Sequence, residues 1–329
     1  MGRLLVRLVV IALLLGGTSA ARAQVFCVFD ILGTQGPLYS AMKGYALQAR
    51  AWGANLEVRP YVDEGVAAEE FKAGQCDAVL LTGVRARQFN HTVGSIDSIG
   101  AMPGYPQLKL LLQTLAHPEA AKLMVSGPYE VAGIMPLGAA YLFLRDRHID
   151  SVAKMAGKKM AVLDYDQAQL RMTERIGVQP VSSDVSNFAG KFNNGVVDIV
   201  AAPAVAYMPL ELYKGVGTHG VVVKMPVAQL TFQLLLHRQQ FPEGFGQHSR
   251  EYFLGMFEPA LKAVQEAEDQ IMFFYPPPDG DAEKYQEMMR EARISMTAEG
   301  IYDRRMMSIM KKVRCRLDPG NVECSDNRE

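Results

Sequence analysis

The sequence is poor in the features that carry catalysis, metal binding or nucleic-acid binding. Its six histidines (His91, His117, His148, His219, His237, His248) are scattered, with no His-Glu-x-x-His and no close ligand pair, so a zinc-type site has no framework. There is no Gly-x-Ser-x-Gly elbow and no phosphate loop ending in Lys-Ser or Lys-Thr. Gly215, Gly217 and Gly220 fit Gly-x-Gly-x-x-Gly, but they precede the strand-like 221–223 instead of following a strand and opening a helix, so the dinucleotide geometry fails. Charge of one sign is also lacking: 34 basic residues stand against 35 acidic ones, which gives no reason to expect nucleic acid or an anionic membrane as partner. There are four cysteines and none is in a Cys-x-x-Cys pair.

The first 23 residues read as a secretory signal. Arg3 and Arg7 supply a basic start, 8–15 form a short apolar run, and Ala21-Arg22-Ala23 places small residues at the cleavage positions. The run is far below the roughly 20 residues that span a bilayer. Removal at Gln24 takes away Arg3, Arg7 and Arg22 and leaves 31 basic against 35 acidic residues. All four cysteines (Cys27, Cys76, Cys315, Cys324) then enter an oxidising space. Three pairings are open. Cys315 with Cys324 is preferred because it closes a turn-rich tail with Asp318-Pro319-Gly320, which leaves Cys27 with Cys76; metal binding is the competing reading. The 306 remaining residues exceed one ordinary core, so two lobes are expected.

Along the chain, strands at 25–31, 56–62 and 76–81 alternate with helices at 38–52 and 65–73, a βαβαβ grammar that calls for a parallel sheet. The same grammar returns with strands at 158–163, 178–182 and 197–202 and helices at 167–176 and 185–193. Between the halves, the apolar run 131–144 reads as a crossing strand plus a helix, and 229–237 as the return crossing. The remainder is helical at 246–271, 282–296 and 298–313, with Pro276-Pro277-Pro278 as a rigid connector. These assignments give an α/β fold with two lobes, parallel or mixed sheets and a helical C-terminal region. Lobe 1 comprises 24–130 and 230–329 with the C-terminal helices, and lobe 2 comprises 131–229.

Three segments, CVFDILG (27–33), VAAEEFKAGQCD (66–77) and LLTGVRARQFN (80–90), resemble the AdeT-type periplasmic solute-binding proteins, a bacterial family often labelled as associated with RND-type transport. More distantly, GKKMAVLDYD (157–166), GVQPV (177–181) and FNNGVVDIVAAP (192–203) are similar to DctP-type receptors of TRAP transporters. The resemblance implies a type II-like clamp, a monomer in the periplasm, that binds a small molecule between its lobes without a cofactor or metal. It would deliver the ligand to an inner-membrane transporter, TRAP-like or RND-type. In DctP-type receptors an arginine on the strand after Gly-x-Lys pairs with a substrate carboxylate; Ala161 stands there in this sequence, so that mode of acid binding is lost unless Arg85 or Arg87 replaces it.

Ligand sites of open parallel sheets lie at the carboxyl ends of the strands. That rule selects Asp30, Gly33, Thr34, Gln35 and Gly36 after the first strand and Thr82, Gly83, Arg85 and Arg87 after the third. In lobe 2 it selects Asp164, Tyr165 and Asp166, then Pro203 and Tyr207. Each has a plainer reading: residues 34–36 cap the next helix, the arginines are solvated or locally paired charges, and the tyrosines pack between lobes. The eighteen methionines, among them Met288, Met289, Met306, Met307 and Met310, read as core filler, with a lipid-binding lining as the sharper alternative. A carrier of a lipid or other apolar ligand for an RND-type efflux system is accordingly the second functional reading. A periplasmic hydrolase or transferase, lacking a nucleophile and base, is the third, and a scaffold without ligand the fourth.

Overall fold

The computed structural model describes residues 23–329, so the expected leader, 1–23, lies outside the described residues apart from Ala23. A single mixed sheet runs through both lobes. Lobe 1 begins with β1 (Gln24–Phe29), α1 (Pro37–Ala49), β2 (Leu56–Tyr61), α2 (Glu64–Lys72) and β3 (Ala78–Thr82). β1 pairs in parallel with β2 on one side and β3 on the other. Because β1 is covered on both faces, its sequence QVFCVF is an almost unbroken apolar run, and Phe26, Cys27 and Val28 are fully buried. The one-turn helix α3 (Gly83–Ala86) leaves β3 directly, and α4 (Tyr105–Ala116) lies further along the chain.

Two long strands carry the fold across the lobes. β4 (Tyr129–Leu144) is one continuous 16-residue strand, so the expected helix after the first crossing does not form. Uniformly apolar sequence has no period by which strand and helix can be told apart, and the length had favoured a helix. Its antiparallel partner, β8 (Val221–His237), merges the strand-like 221–223 with the predicted return crossing into one 17-residue strand. The ladder shifts register at three places, one of them between Pro136 and Gly138, where Gly138 adopts φ +112°, a conformation open to glycine. Lobe 2 adds β5 (Lys159–Leu163), α5 (Gln167–Ile176), β6 (Gln179–Ser183), α6 (Phe188–Asn193) and β7 (Ile199–Pro203). β5 pairs in parallel with β6 and β7, and β7 runs antiparallel to β4. The outermost strands, β2 and β6, each contain a proline, Pro60 and Pro180, as edge strands tolerate, while Pro136 and Pro226 of the central β4 and β8 sit at shifts of the ladder register.

The C-terminal region is helical as expected but divided differently: α7 (Phe245–Gly255), α8 (Phe257–Glu268), α9 (Asp281–Ala298) and α10 (Arg304–Leu317). α10 starts six residues later than predicted, because Gly300 turns the chain at φ +78° and the Asp303 carboxylate caps the new helix by accepting from Met306 N. The cysteines form two disulfides, Cys27 with Cys76 and Cys315 with Cys324. The first ties β1 to the start of β3, and the second fastens α10 to the tail. Beside it, the buried Arg314 forks onto Glu323 at 2.8 and 2.9 Å, and Arg293 forks onto Glu329 at 2.6 and 3.0 Å.

Candidate functional site

Between the lobes lies a cleft of about 510 Å³, within the range of small-molecule sites. The strand tips predicted from topology reach it: Phe29 to Leu32 after β1, Thr82 after β3, Leu163, Tyr165 and Asp166 after β5, and Pro203 after β7. Of the predicted residues, the wall therefore holds Asp30, Thr82, Tyr165, Asp166 and Pro203.

The others take different positions. Thr34 and Gln35 are exposed in a single 3₁₀ turn that begins at Gly33 (φ +56°), and Asp164 is exposed at the end of β5. Gly36 is buried, and a Cβ there would sit 1.9 Å from the Asp30 carboxylate, so this glycine makes room for that side chain. Asp30 itself accepts from the amides of Leu32 and Tyr39, both at 2.9 Å, and thereby pins the loop and the first turn of α1. Gly83 likewise yields space: its missing Cβ would lie 2.5 Å from Asp97 Oδ2 and from Thr231 Oγ1. Tyr207 is buried beneath the lobe-2 sheet, 6.0 Å from the Phe143 ring, with its hydroxyl accepting from Met272 N at 3.4 Å.

Arg85 and Arg87 flank the wall without lining it, and both are paired across the lobes. The Arg85 guanidinium lies 3.4 Å above the Tyr165 ring centroid and 3.5 Å from both Glu64 Oε2 and Asp184 Oδ2. Arg87 Nη1 is 3.3 Å from Asp166 Oδ1, while its Nε donates to Gly94 O at 3.1 Å. Glu64 and Asp184 were not selected from sequence. Glu64, in the first turn of α2, is fully buried, accepts from Thr82 N at 2.7 Å and receives the Tyr165 hydroxyl at 3.1 Å. Burial raises its carboxyl above the ordinary range, against the opposing bonds from Thr82 and the charge of Arg85.

Asp97 was also missed. It lines the cleft, is buried, and accepts from Thr231 N at 3.0 Å and Thr231 Oγ1 at 2.7 Å; burial pushes its carboxyl up to about 7. Tyr302, another wall residue outside the prediction, is pushed up to about 12 by burial and accepts from Ile99 N at 3.4 Å. Each of the wall carboxylates of Asp30, Asp97 and Asp166 thus already has a protein partner.

Apart from Gln169 and Tyr285, the rest of the wall is hydrocarbon and thioether. Seven methionines line it (Met135, Met155, Met160, Met172, Met256, Met288, Met289), while Met306, Met307 and Met310 are fully buried in the lobe-1 core. The core-filler reading therefore holds for the last three and for Met289, which is buried in a hydrophobic cluster with Tyr285 and Met160; Met288 and Met289 also border the cleft, where α9 lays one face along it. Among the described residues no arginine, lysine or histidine lines the cleft. Ala161, standing where an arginine was expected by resemblance, is one of its wall residues and is buried.

Comparison with known proteins follows the same lines. Over 304 residues the chain is 44% identical to probable solute-binding protein AdeT1 of Acinetobacter baumannii, covering 92% of this chain and all of that protein. The fold is similar to a TRAP periplasmic solute binding protein from Desulfovibrio salexigens with bound orotic acid, with a TM-score of 0.73 at 14% identity over 90% of this chain and 99% of that one. It is also similar to one from Ralstonia eutropha with bound (S)-2-acetolactate, with a TM-score of 0.72 at 11% identity and the same coverage. At these identities the likeness is one of fold alone, a two-lobed α/β architecture. Residues 42–329 match the family model described as solute-binding protein AdeT 1/2, and with the 44% identity to AdeT1 this establishes that the chain belongs to the AdeT 1/2 family of solute-binding proteins.

Proposed function

We propose that this solute-binding protein captures a small molecule with an uncharged, mainly hydrocarbon body in the interlobe cleft and delivers it to an inner-membrane transporter. One observation carries the reading: a cleft of about 510 Å³ whose wall is aliphatic and Met-rich, has no cationic side chain, and contains Ala161 at the position where an acid-binding arginine would stand. An organic acid entering such a wall would lose its hydration and gain no cation, a large penalty for a carboxylate. An apolar body gains roughly 25 cal/mol for each Å² it removes from water. Flexible methionines let one cleft fit ligands of different outline.

Lobe 1 in this reading comprises 24–130 and 230–329 and lobe 2 comprises 131–229. The register shift of β4 and β8 beside Pro136–Gly138 supports a hinge near this boundary. Export after removal of 1–23 accords with two disulfides, which persist in oxidising compartments. The protein acts as a monomer without a cofactor. The partner is a TRAP-like or RND-type transporter; the apolar wall favours the ligand named in the second sequence reading and leaves the clamp of the first intact.

Native mass spectrometry of freshly purified mature protein, followed by calorimetry, tests this. A co-purifying neutral lipophile, and no heat with orotate or galacturonate, is the expected result. A co-purified organic acid that rebinds the emptied protein tightly would overturn it.

A further inference from the structure

The lobes meet at the cleft mouth through charged groups of the protein itself. From lobe 1, Glu64, Arg85 and Arg87 project across the gap; from lobe 2, Tyr165, Asp166 and Asp184 meet them. Arg85 is held on three sides, by the Tyr165 ring beneath it at 3.4 Å and by Glu64 and Asp184 at 3.5 Å, and the Tyr165 hydroxyl donates to the same Glu64 oxygen at 3.1 Å. Arg87 forms the second fastening with Asp166 at 3.3 Å, which also caps α5 by accepting from Ala168 N at 3.0 Å. The side chains of both arginines are only 12% exposed and those of Glu64 and Asp166 are buried, so these contacts differ from freely solvated surface pairs.

From this geometry we propose that Arg85 and Arg87 are gating residues: with Glu64, Tyr165, Asp166 and Asp184 they clasp the lobes shut without help from a ligand, and being neutralised in the clasp they offer no free cation to an acidic solute. The first half needs no ligand at all; the second rests on the cleft being the binding site. In this scheme the closed form is the resting state, and a ligand enters only during a transient opening. The arginines then control how fast a ligand enters and leaves, and which charge is admitted, without touching it.

Small-angle X-ray scattering of mature protein stripped of ligand tests the clasp. At about 0.1 M salt the wild type should give the scattering profile of the closed structure. Arg85→Ala leaves the buried Glu64 facing no cation and threatens folding, so the test uses Tyr165→Leu and Asp184→Asn, with folding checked by circular dichroism. Both should open the lobes at low salt. The neutral dye N-phenyl-1-naphthylamine should leave Asp184→Asn, whose side chain lies outside the cleft wall, at least tenfold faster than wild type in stopped flow. A ligand-free wild type that is open at low salt, or folded variants that keep the wild-type profile, overturns the proposal. Failure of the dye to bind counts against the apolar cleft and leaves the scattering to judge the clasp alone.

Discussion

Ala161→Arg puts the charge argument to its sharpest test, because it adds one guanidinium to a wall that has no cation. Ala161 is 7% exposed, on β5 between β7 and the edge strand β6. A guanidinium placed there without a partner is an uncompensated buried charge, which costs several kcal/mol. The variant should therefore melt well below wild type while remaining folded. A carboxylate ligand would then supply the missing charge, and a hydrogen bond between charged groups contributes about 1.5–3 kcal/mol, or roughly 10- to 150-fold in Kd. Thermal melting with and without orotate gives the comparison: orotate should raise the melting temperature of Ala161→Arg and leave wild type unchanged, with calorimetry supplying Kd for both. If wild type binds orotate as tightly as the variant, the cleft already holds a cationic site and the apolar reading fails. If the folded variant gains nothing, Ala161 does not face the ligand.

Two further tests follow from buried groups. Burial holds the Asp97 carboxyl at about 7, with the two Thr231 bonds and the Arg87 charge opposing and Asp166 reinforcing. The folded protein thus keeps a proton that the unfolded chain releases near pH 4, so the stability this group contributes is full below that pH and is lost as pH rises through about 7. The urea midpoint should fall between about pH 5 and pH 8, and Asp97→Asn should flatten that fall; an unchanged slope in the variant would assign it to other groups. A pair of glycine substitutions should act with opposite sign in urea denaturation. At Gly133 a Cβ would lie 2.4 Å from the Phe253 ring, so Gly133→Ala should destabilise by about 1–3 kcal/mol. Gly44, exposed inside α1, has nothing within 4 Å, and Gly44→Ala should stabilise by roughly 0.5–1 kcal/mol.

Much of the fold was legible because its punctuation is local. Helix α5 matches its predicted span, 167–176, since Asp166 caps its start and Gly177, at φ +70°, its end. The strands of both lobes lie within two residues of their expected ends for the same reason. α4 was missed: nothing was assigned between 90 and 131, although Pro106 in its first turn and the run of leucines marked it. The crossing β4 misled because an apolar run of this length looks alike whether it is buried as helix or as strand. The topological rule found five wall residues and could not find Asp97, which follows no strand, or the methionines of α9, which belong to the wall only through how that helix packs.

By itself the sequence determined two α/β halves of alternating strands and helices, because periodicity and caps are properties of neighbouring residues; it left the cysteine pairing open among three, and the missing arginine at position 161 showed only through the resemblance. Only the tertiary structure decided what the arginines do and what the cleft is made of. Arg87 meets Asp166 across 79 residues of chain, and Tyr165 meets Glu64 across 101. A charge is free or neutralised according to what lies within a few ångströms of it in space, and no pattern along the chain records that distance.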